Sequence, residues 1–169
     1  MLLSRRKAAL GGLLLLPLAV MSACGFQPVY GPQGAAQGLR GKVQIAAPDT
    51  RLGYDLVAAL EDRLGRTQSD PDMVLSYDIT TKESSGGITS DQAITRYTLS
   101  GSVSYEVRDV PGGVVRAQGV VSGFTGYNSG GGRLSTLSAE RDAGTRLMVQ
   151  LAQHIEDRLV LMRVSEALP

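Results

Sequence analysis

From Leu52 onward the apolar residues recur every four positions, at Leu52, Leu56, Leu60 and Leu64, with Val57 and Ala59 beside them. That spacing predicts a helix with one apolar face, stopped by Gly65 and capped at its start by Asp49 or Thr50. Asp55, Glu61, Asp62, Arg63 and Arg66 fall on the opposite side, which reads as solvated. Before this helix, Val43, Ile45 and Ala47 alternate with Lys42, Gln44 and Ala46, a short strand ended by Pro48. After it the period becomes two: Met73, Leu75, Tyr77 and Ile79 alternate with Val74, Ser76, Asp78 and Thr80, and "KESSGGITSDQ" (82–92) reads as a polar loop. The third strand is the plainest, with Tyr97, Leu99, Gly101, Val103, Tyr105 and Val107 on one face and Thr98, Ser100, Ser102, Ser104, Glu106 and Arg108 on the other. Asp109-Val110-Pro111-Gly112-Gly113 supplies turn chemistry, and a fourth strand returns over 114–127. In it Val120, Val121 and Phe124 break the alternation, which predicts a bulge or a weakly specified edge. "NSGGGRL" is a hinge before the last periodic segment. There, Ala139, Ala143, Leu147, Leu151, Ile155 and Leu159, with Met148, Ala152 and Met162, predict an amphipathic helix from Ser138 to about Met162, roughly 37 Å long.

The order strand, helix, three strands, helix gives an α+β fold. Two helices with one apolar face each close against a four-stranded, mostly antiparallel or mixed sheet as a two-layer sandwich. The length of 169 residues suits one domain, and a chain with no tryptophan, two phenylalanines and 21 glycines builds its core from aliphatic side chains.

The first thirty residues have a different organisation. Arg5, Arg6 and Lys7 form a positive start, Ala8 to Met21 an apolar stretch, and Ser22-Ala23 small residues before Cys24, the pattern of an export signal. The stretch is too short and too broken by Gly11, Gly12 and Pro17 to span a bilayer. Met21-Ser22-Ala23-Cys24 resembles a bacterial lipobox, with Met where Leu is usual. The resemblance implies cleavage before Cys24, a diacylglycerol on its thiol and an acyl chain on its freed amine, which together anchor a protein stably. Arg5-Arg6 leaves general secretory and twin-arginine export both open. Gly25 lacks the aspartate of an inner-membrane retention signal, so the outer membrane is the expected destination. The expected organisation is a signal peptide at 1–23, a lipidated N-terminus and glycine- and proline-rich tether at 24–41, and a domain at 42–165.

Charge and reactive residues narrow the chemistry. A formal net charge of +1 over the full chain offers no concentrated basic face for nucleic acid. One cysteine makes no internal disulfide, and one cysteine with one histidine makes no zinc site of the His/Cys type. His154 lies on the flank of the last helix near Gln150, Asp157 and Arg158, without a serine partner by motif. "NSGGGRLS" lacks the Lys-Ser/Thr of a phosphate loop, and Asp70 and Asp72 in a turn do not make a calcium site. No enzyme, cofactor or metal is expected. The hydroxyl face of Thr98, Ser100, Ser102 and Ser104, beside Gly119 and Gly123 on the next strand, reads either as a close-approach surface for another protein or as an ordinary solvated sheet.

"ACGFQPVYG" after the signal, "RLGYDLVAALEDRL", "ITRYTLSGSVSYEVRD", "GYNS" and "SAERDAGTRLMVQLAQHIEDRL" together resemble the lipopolysaccharide-assembly lipoprotein family LptE, in its alphaproteobacterial form. The resemblance implies a non-enzymatic outer-membrane lipoprotein that sits as a plug inside the LptD β-barrel and helps place lipopolysaccharide in the outer leaflet. The hydroxyl face then becomes a barrel-contact candidate, and Lys82, Arg96, Arg108 and Arg116 become candidates for contact with lipopolysaccharide phosphates, each also readable as ordinary surface charge. The alternative from another class is a periplasmic binding module, the auxiliary lipoprotein of an ABC-type lipid transporter.

Overall fold

The computed structural model describes residues 31, 37–67, 70–86, 96–129 and 132–167. The first helix forms where the four-residue spacing places it, as α1 (Arg51–Leu64). Thr50 is its N-cap, in extended conformation, and the Thr50 hydroxyl accepts the Gly53 N–H at 3.0 Å. Its end is set by Gly65, whose φ of 77° a side chain would oppose. The second helix, α2 (Arg133–Ala167), is longer than the spacing predicts, 35 residues or about 52 Å at 1.5 Å per residue. It extends five residues before Ser138 because the "RLSTL" segment is helical although it has no core to face: Leu134 is 84% exposed.

Four strands make one sheet in the order β1-β2-β3-β4. β1 (Val43–Ile45) runs parallel to the start of β2 (Met73–Ser85), and β2, β3 (Arg96–Asp109) and β4 (Val115–Asn128) form an antiparallel meander. The sheet is mixed and the fold is α+β, with both helices on one face. β2 runs on to Ser85, so the first residues of the expected 82–92 loop are strand, with Lys82 opposite Ser100 and Ser84 opposite Thr98.

The core is aliphatic. Leu56, Leu60 and Leu64 of α1 meet Leu75, Val103 and Val107 of the sheet and Leu147, Met148, Leu151, Ile155 and Leu159 of α2. Leu39, in a 3-10 turn at Gln37–Leu39, is fully buried with them, and the Gly41 N–H donates to the Leu64 carbonyl at 2.7 Å. The chain therefore enters the core before residue 42.

Two expectations about polar residues change. Arg63 and Asp55 do not face solvent but the seam between the helices: Arg63 pairs with Glu156 at 2.9 Å, and Thr145 donates to Asp55 at 3.0 Å. Glu156 is the buried charged residue of the described chain. On β4 the alternation holds from Ala117 to Asn128. Ala117, Gly119, Val121, Gly123, Thr125 and Tyr127 all face the helices, and Val120 and Phe124 are simply apolar side chains turned outward. The irregularity falls nearer the turn. Val107 pairs with Ala117 and Arg108 with Val115, so Arg116 is the extra residue of a bulge.

Candidate partner-binding face

Because both helices cover one side of the sheet, the other side has no covering layer among the described residues. Thr98, Ser100, Ser102 and Ser104 line its middle strand, as their even-numbered alternation requires. Across from them β2 contributes Ser84, Lys82, Thr80 and Asp78, and β4 contributes Gly126, Phe124, Ser122 and Val120. Gly119 and Gly123 are not on this face. They pair with Tyr105 and Gly101 on the inner side, where a Cβ at Gly119 would lie 3.2 Å from the Tyr105 hydroxyl and one at Gly123 3.2 Å from the Gln150 amide. Their role is to admit a tyrosine and a helix, and the close approach they permit is internal.

Two shallow grooves run over the outer face. One, of about 540 Å³, is bordered by Phe124 with Thr80, Lys82, Ser100, Ser102 and Ser122. The other, of about 690 Å³, is bordered by Val120 with Ser76, Asp78, Ser104, Glu106 and Gln118. Phe124 is 70% and Val120 66% exposed. These two residues are the part of the face that alternation alone did not single out as functional. The signal was present as the apparent break in parity on β4.

The four basic candidates do not converge. Lys82 and Arg96 lie toward the end of the sheet where β2 finishes and β3 begins, whereas Arg108 and Arg116 lie at the β3–β4 turn. Twelve residues separate Arg96 from Arg108 on one strand, roughly 40 Å at about 3.4 Å per residue. Arg108 is held by Glu106 and by the Gly113 carbonyl at 3.0 Å, and Arg116 by Asp109 at 2.6 Å. Gly38, Asp109, Arg116 and Arg163 line one cavity of about 210 Å³, so the chain enters the domain at the Arg116 end. Lys82 and Arg96 are at the far end.

At that far end, on the inner side, Tyr97 and Tyr127 stack with ring centroids 5.2 Å apart, and Tyr127 donates to Glu83 at 2.6 Å. Burial, then the Glu83 carboxylate, pushes the Tyr127 phenol well above its ordinary range. Burial likewise raises Tyr105 and Tyr77, the latter with an enclosed hydroxyl that has no hydrogen-bond partner. His154 is half-buried on the flank of α2. Among the described residues no cluster of His, Cys, Asp or Glu is arranged to hold a metal, and no helix is long and apolar enough to cross a membrane. The lipidation candidate, Cys24, and the signal peptide lie outside the described residues.

A family profile described as "LptE: Lipopolysaccharide-assembly" matches residues 41–159. No curated protein matches the chain. Among solved structures, a putative lipoprotein from Caulobacter crescentus is similar at a TM-score of 0.65 and 20% identity, covering 76% of this chain and 96% of that one. The rare lipoprotein B from Shewanella oneidensis follows at 0.57 and 13% identity, covering 75% and 98%. A minor lipoprotein from Acinetobacter baumannii is similar at 0.51 and 17% identity, covering 72% and 90%. At these identities the likeness is one of fold.

Proposed function

The chain belongs to the lipopolysaccharide-assembly family LptE, and from that premise we propose that it is a non-enzymatic outer-membrane lipoprotein, anchored through acyl chains on Cys24. It partners an LptD-type β-barrel in placing lipopolysaccharide in the outer leaflet. The observation that carries this reading is the extent of the match, residues 41–159, which takes in α1, the whole described sheet and most of α2. The one-sided sandwich supports it. A domain enclosed by a barrel needs a face that approaches another protein without stranding charge, since an unpaired buried charge costs several kcal/mol. Between Ser100 and Ser104 the outer face of β3 presents only short hydroxyls, its partners on β4 are Val120, Ser122 and Phe124, and the charges of the face, Asp78 and Lys82, stand on β2 at its other side.

The anchor and the basic residues fit the same arrangement. Thirteen residues separate Cys24 from Gln37, a reach of up to about 45 Å. The chain enters at the Arg116 end, and Lys82 and Arg96 lie at the opposite end of the sheet. Since Arg108 and Arg116 are already engaged by carboxylates, Lys82 and Arg96 are the pair assigned to lipopolysaccharide phosphates.

Extraction of the lipidated protein in mild detergent, followed by identification of what co-purifies, tests the reading. A large outer-membrane barrel protein in roughly equal amount is expected, and its absence refutes the partnership. Cys24→Ala is expected to yield a soluble or unprocessed form, and unchanged mass and membrane attachment refute the anchor.

A further inference from the structure

Among the described residues the sheet has two long free edges, and they are unlike. β1 covers only Met73, Val74 and Leu75 of β2, so β2 is open from Ser76 onward, but that stretch carries Asp78, Lys82 and Glu83. Charges of this kind are how an edge strand is kept from pairing with another chain. β4 ends the sheet on the other side and has no such guard. From Ala117 to Asn128 it is 12 residues without a charge.

The polarity of the β4 backbone follows from the register. The Gly86 N–H donates to the Arg96 carbonyl at 2.9 Å, so even-numbered residues of β3 direct their backbone groups to β2 and odd-numbered ones to β4. On β4, therefore, the odd-numbered residues bond to β3. The even-numbered residues, Gln118, Val120, Ser122 and Phe124, direct N–H and C=O away from the sheet. Among the described residues this edge is closed at one end, where Arg146 donates to the Gly126 carbonyl at 3.2 Å. What is left spans Gln118 to Phe124, about 20 Å at about 3.4 Å per residue. Over that span the backbone groups point sideways and the exposed side chains of Val120 and Phe124 point outward, the combination that strand addition uses: main-chain bonds for affinity and alternate side chains for specificity.

We propose that β4 accepts an extended segment of the barrel partner as a fifth strand, paired to Gln118, Val120, Ser122 and Phe124. This rests on the barrel partnership proposed above. A closed barrel has no free strand edge, so the wall itself has nothing to pair with β4. The occupant is a loop that enters the lumen. Its chemistry is set by the site: about seven residues, uncharged, with apolar side chains at alternate positions to cover Val120 and Phe124.

Ser122→Pro removes an N–H that the fold does not use, and proline is tolerated on an edge strand where the N–H faces outward. The corresponding control is Thr81→Pro, on the free edge of β2. With the full lipidated chain expressed in cells, Ser122→Pro and Phe124→Lys are expected to lower barrel recovery at least tenfold relative to wild type. Thr81→Pro should leave it unchanged. A second measurement does not depend on the folding of the proline variant: p-benzoylphenylalanine in place of Phe124, irradiated in cells, is expected to give an adduct with a barrel loop. Wild-type recovery by Ser122→Pro and Phe124→Lys, equal losses with Thr81→Pro, no adduct, or an adduct with a second copy of this chain overturns the fifth-strand proposal while leaving the partnership intact. A wild-type chain that recovers no barrel overturns both.

Discussion

Removing Arg63 while keeping Glu156 measures what the seam between the helices tolerates. The Arg63 guanidinium lies 2.9 Å from Glu156, with side chains 28% and 10% exposed, and its other nitrogen reaches Gln153 at 3.5 Å. Breaking a fully buried pair by deleting one partner costs about 3–5 kcal/mol, because a charge is left without compensation. Water reaches the arginine side here, so Arg63→Ala is expected to cost less, about 2 kcal/mol. One turn along, Arg66 makes a shorter pair with Glu61 at 2.6 Å, but its side chain is 77% exposed and Arg66→Ala should leave stability unchanged. Replacing both seam partners, Arg63→Met with Glu156→Leu, should return to within about 1 kcal/mol of wild type, since apolar pairs of similar volume substitute well for buried ion pairs. The assay is urea unfolding of the Cys24→Ala chain without residues 1–23, followed by circular dichroism. A loss of about 2 kcal/mol moves the midpoint by about 1 M at m near 2 kcal/mol/M. If Arg63→Ala and Arg66→Ala unfold at the same midpoint, burial does not govern these pairs and the reasoning fails.

Leu147 is fully buried and its Cδ2 would lie 2.9 Å from a Cβ placed on Gly101. Leu147→Ala should cost about 3 kcal/mol, and Gly101→Val about 1–3 kcal/mol by overpacking the same contact. In the double variant the new side chain occupies the space that Leu147 leaves, so the losses measured by urea unfolding should sum to less than additive, and strict additivity counts against a shared contact. The raised Tyr127 phenol gives an alkaline signature. An acid whose folded pKa is raised binds its proton more tightly when folded, so its contribution is complete below the unfolded tyrosine value of about 10 and falls as pH rises through it. Tyr127→Phe should make the decline of Tm above pH 10 shallower but not flat, because Tyr105 and Tyr77 are raised too. An unchanged alkaline slope refutes the assignment.

The elements that were legible in the sequence are those whose side chains alternate with a single purpose. β3 places every residue from Tyr97 to Arg108 on the face that its polarity indicates, and Leu52, Leu56, Leu60 and Leu64 mark α1 to within a residue. What escaped depends in part on tertiary context. Arg63 stands seven residues after Leu56 and three after Leu60, on the edge of the leucine face and not opposite it, so helical spacing alone could have placed it at the seam, whereas Asp55 lies farther round and its contact with Thr145 depends on how α2 packs. The β2 extension to Ser85 is polar on both faces because it projects beyond the helices, so no period reports it. For the candidate site the hydroxyl face was readable from parity alone, whereas the separation of Lys82 and Arg96 from Arg108 and Arg116 needed the register of the meander.

Between Ala117 and Phe124, β4 turns small residues inward at three of four positions, and this bears on why Phe124 is where it is. There its inner face carries Ala117, Gly119, Val121 and Gly123, and the two glycines admit Tyr105 and Gln150 so closely that a Cβ, 3.2 Å from either, would require the neighbour to shift. Small residues let α2 lie close to the sheet, and the apolar contacts of the core come from the helix: Leu147, Leu151 and Ile155 are wholly buried. Larger residues at Gly119 and Gly123 are thus opposed by packing, while Val121 between them is buried in the core. No such constraint acts on the outer face, where one of the chain's two phenylalanines stands 70% exposed. Folding gains almost nothing from it there, since the stabilisation from an apolar side chain scales with the area removed from water. In the fifth-strand proposal the added segment covers Phe124, and the backbone edge beside it is what that segment pairs with.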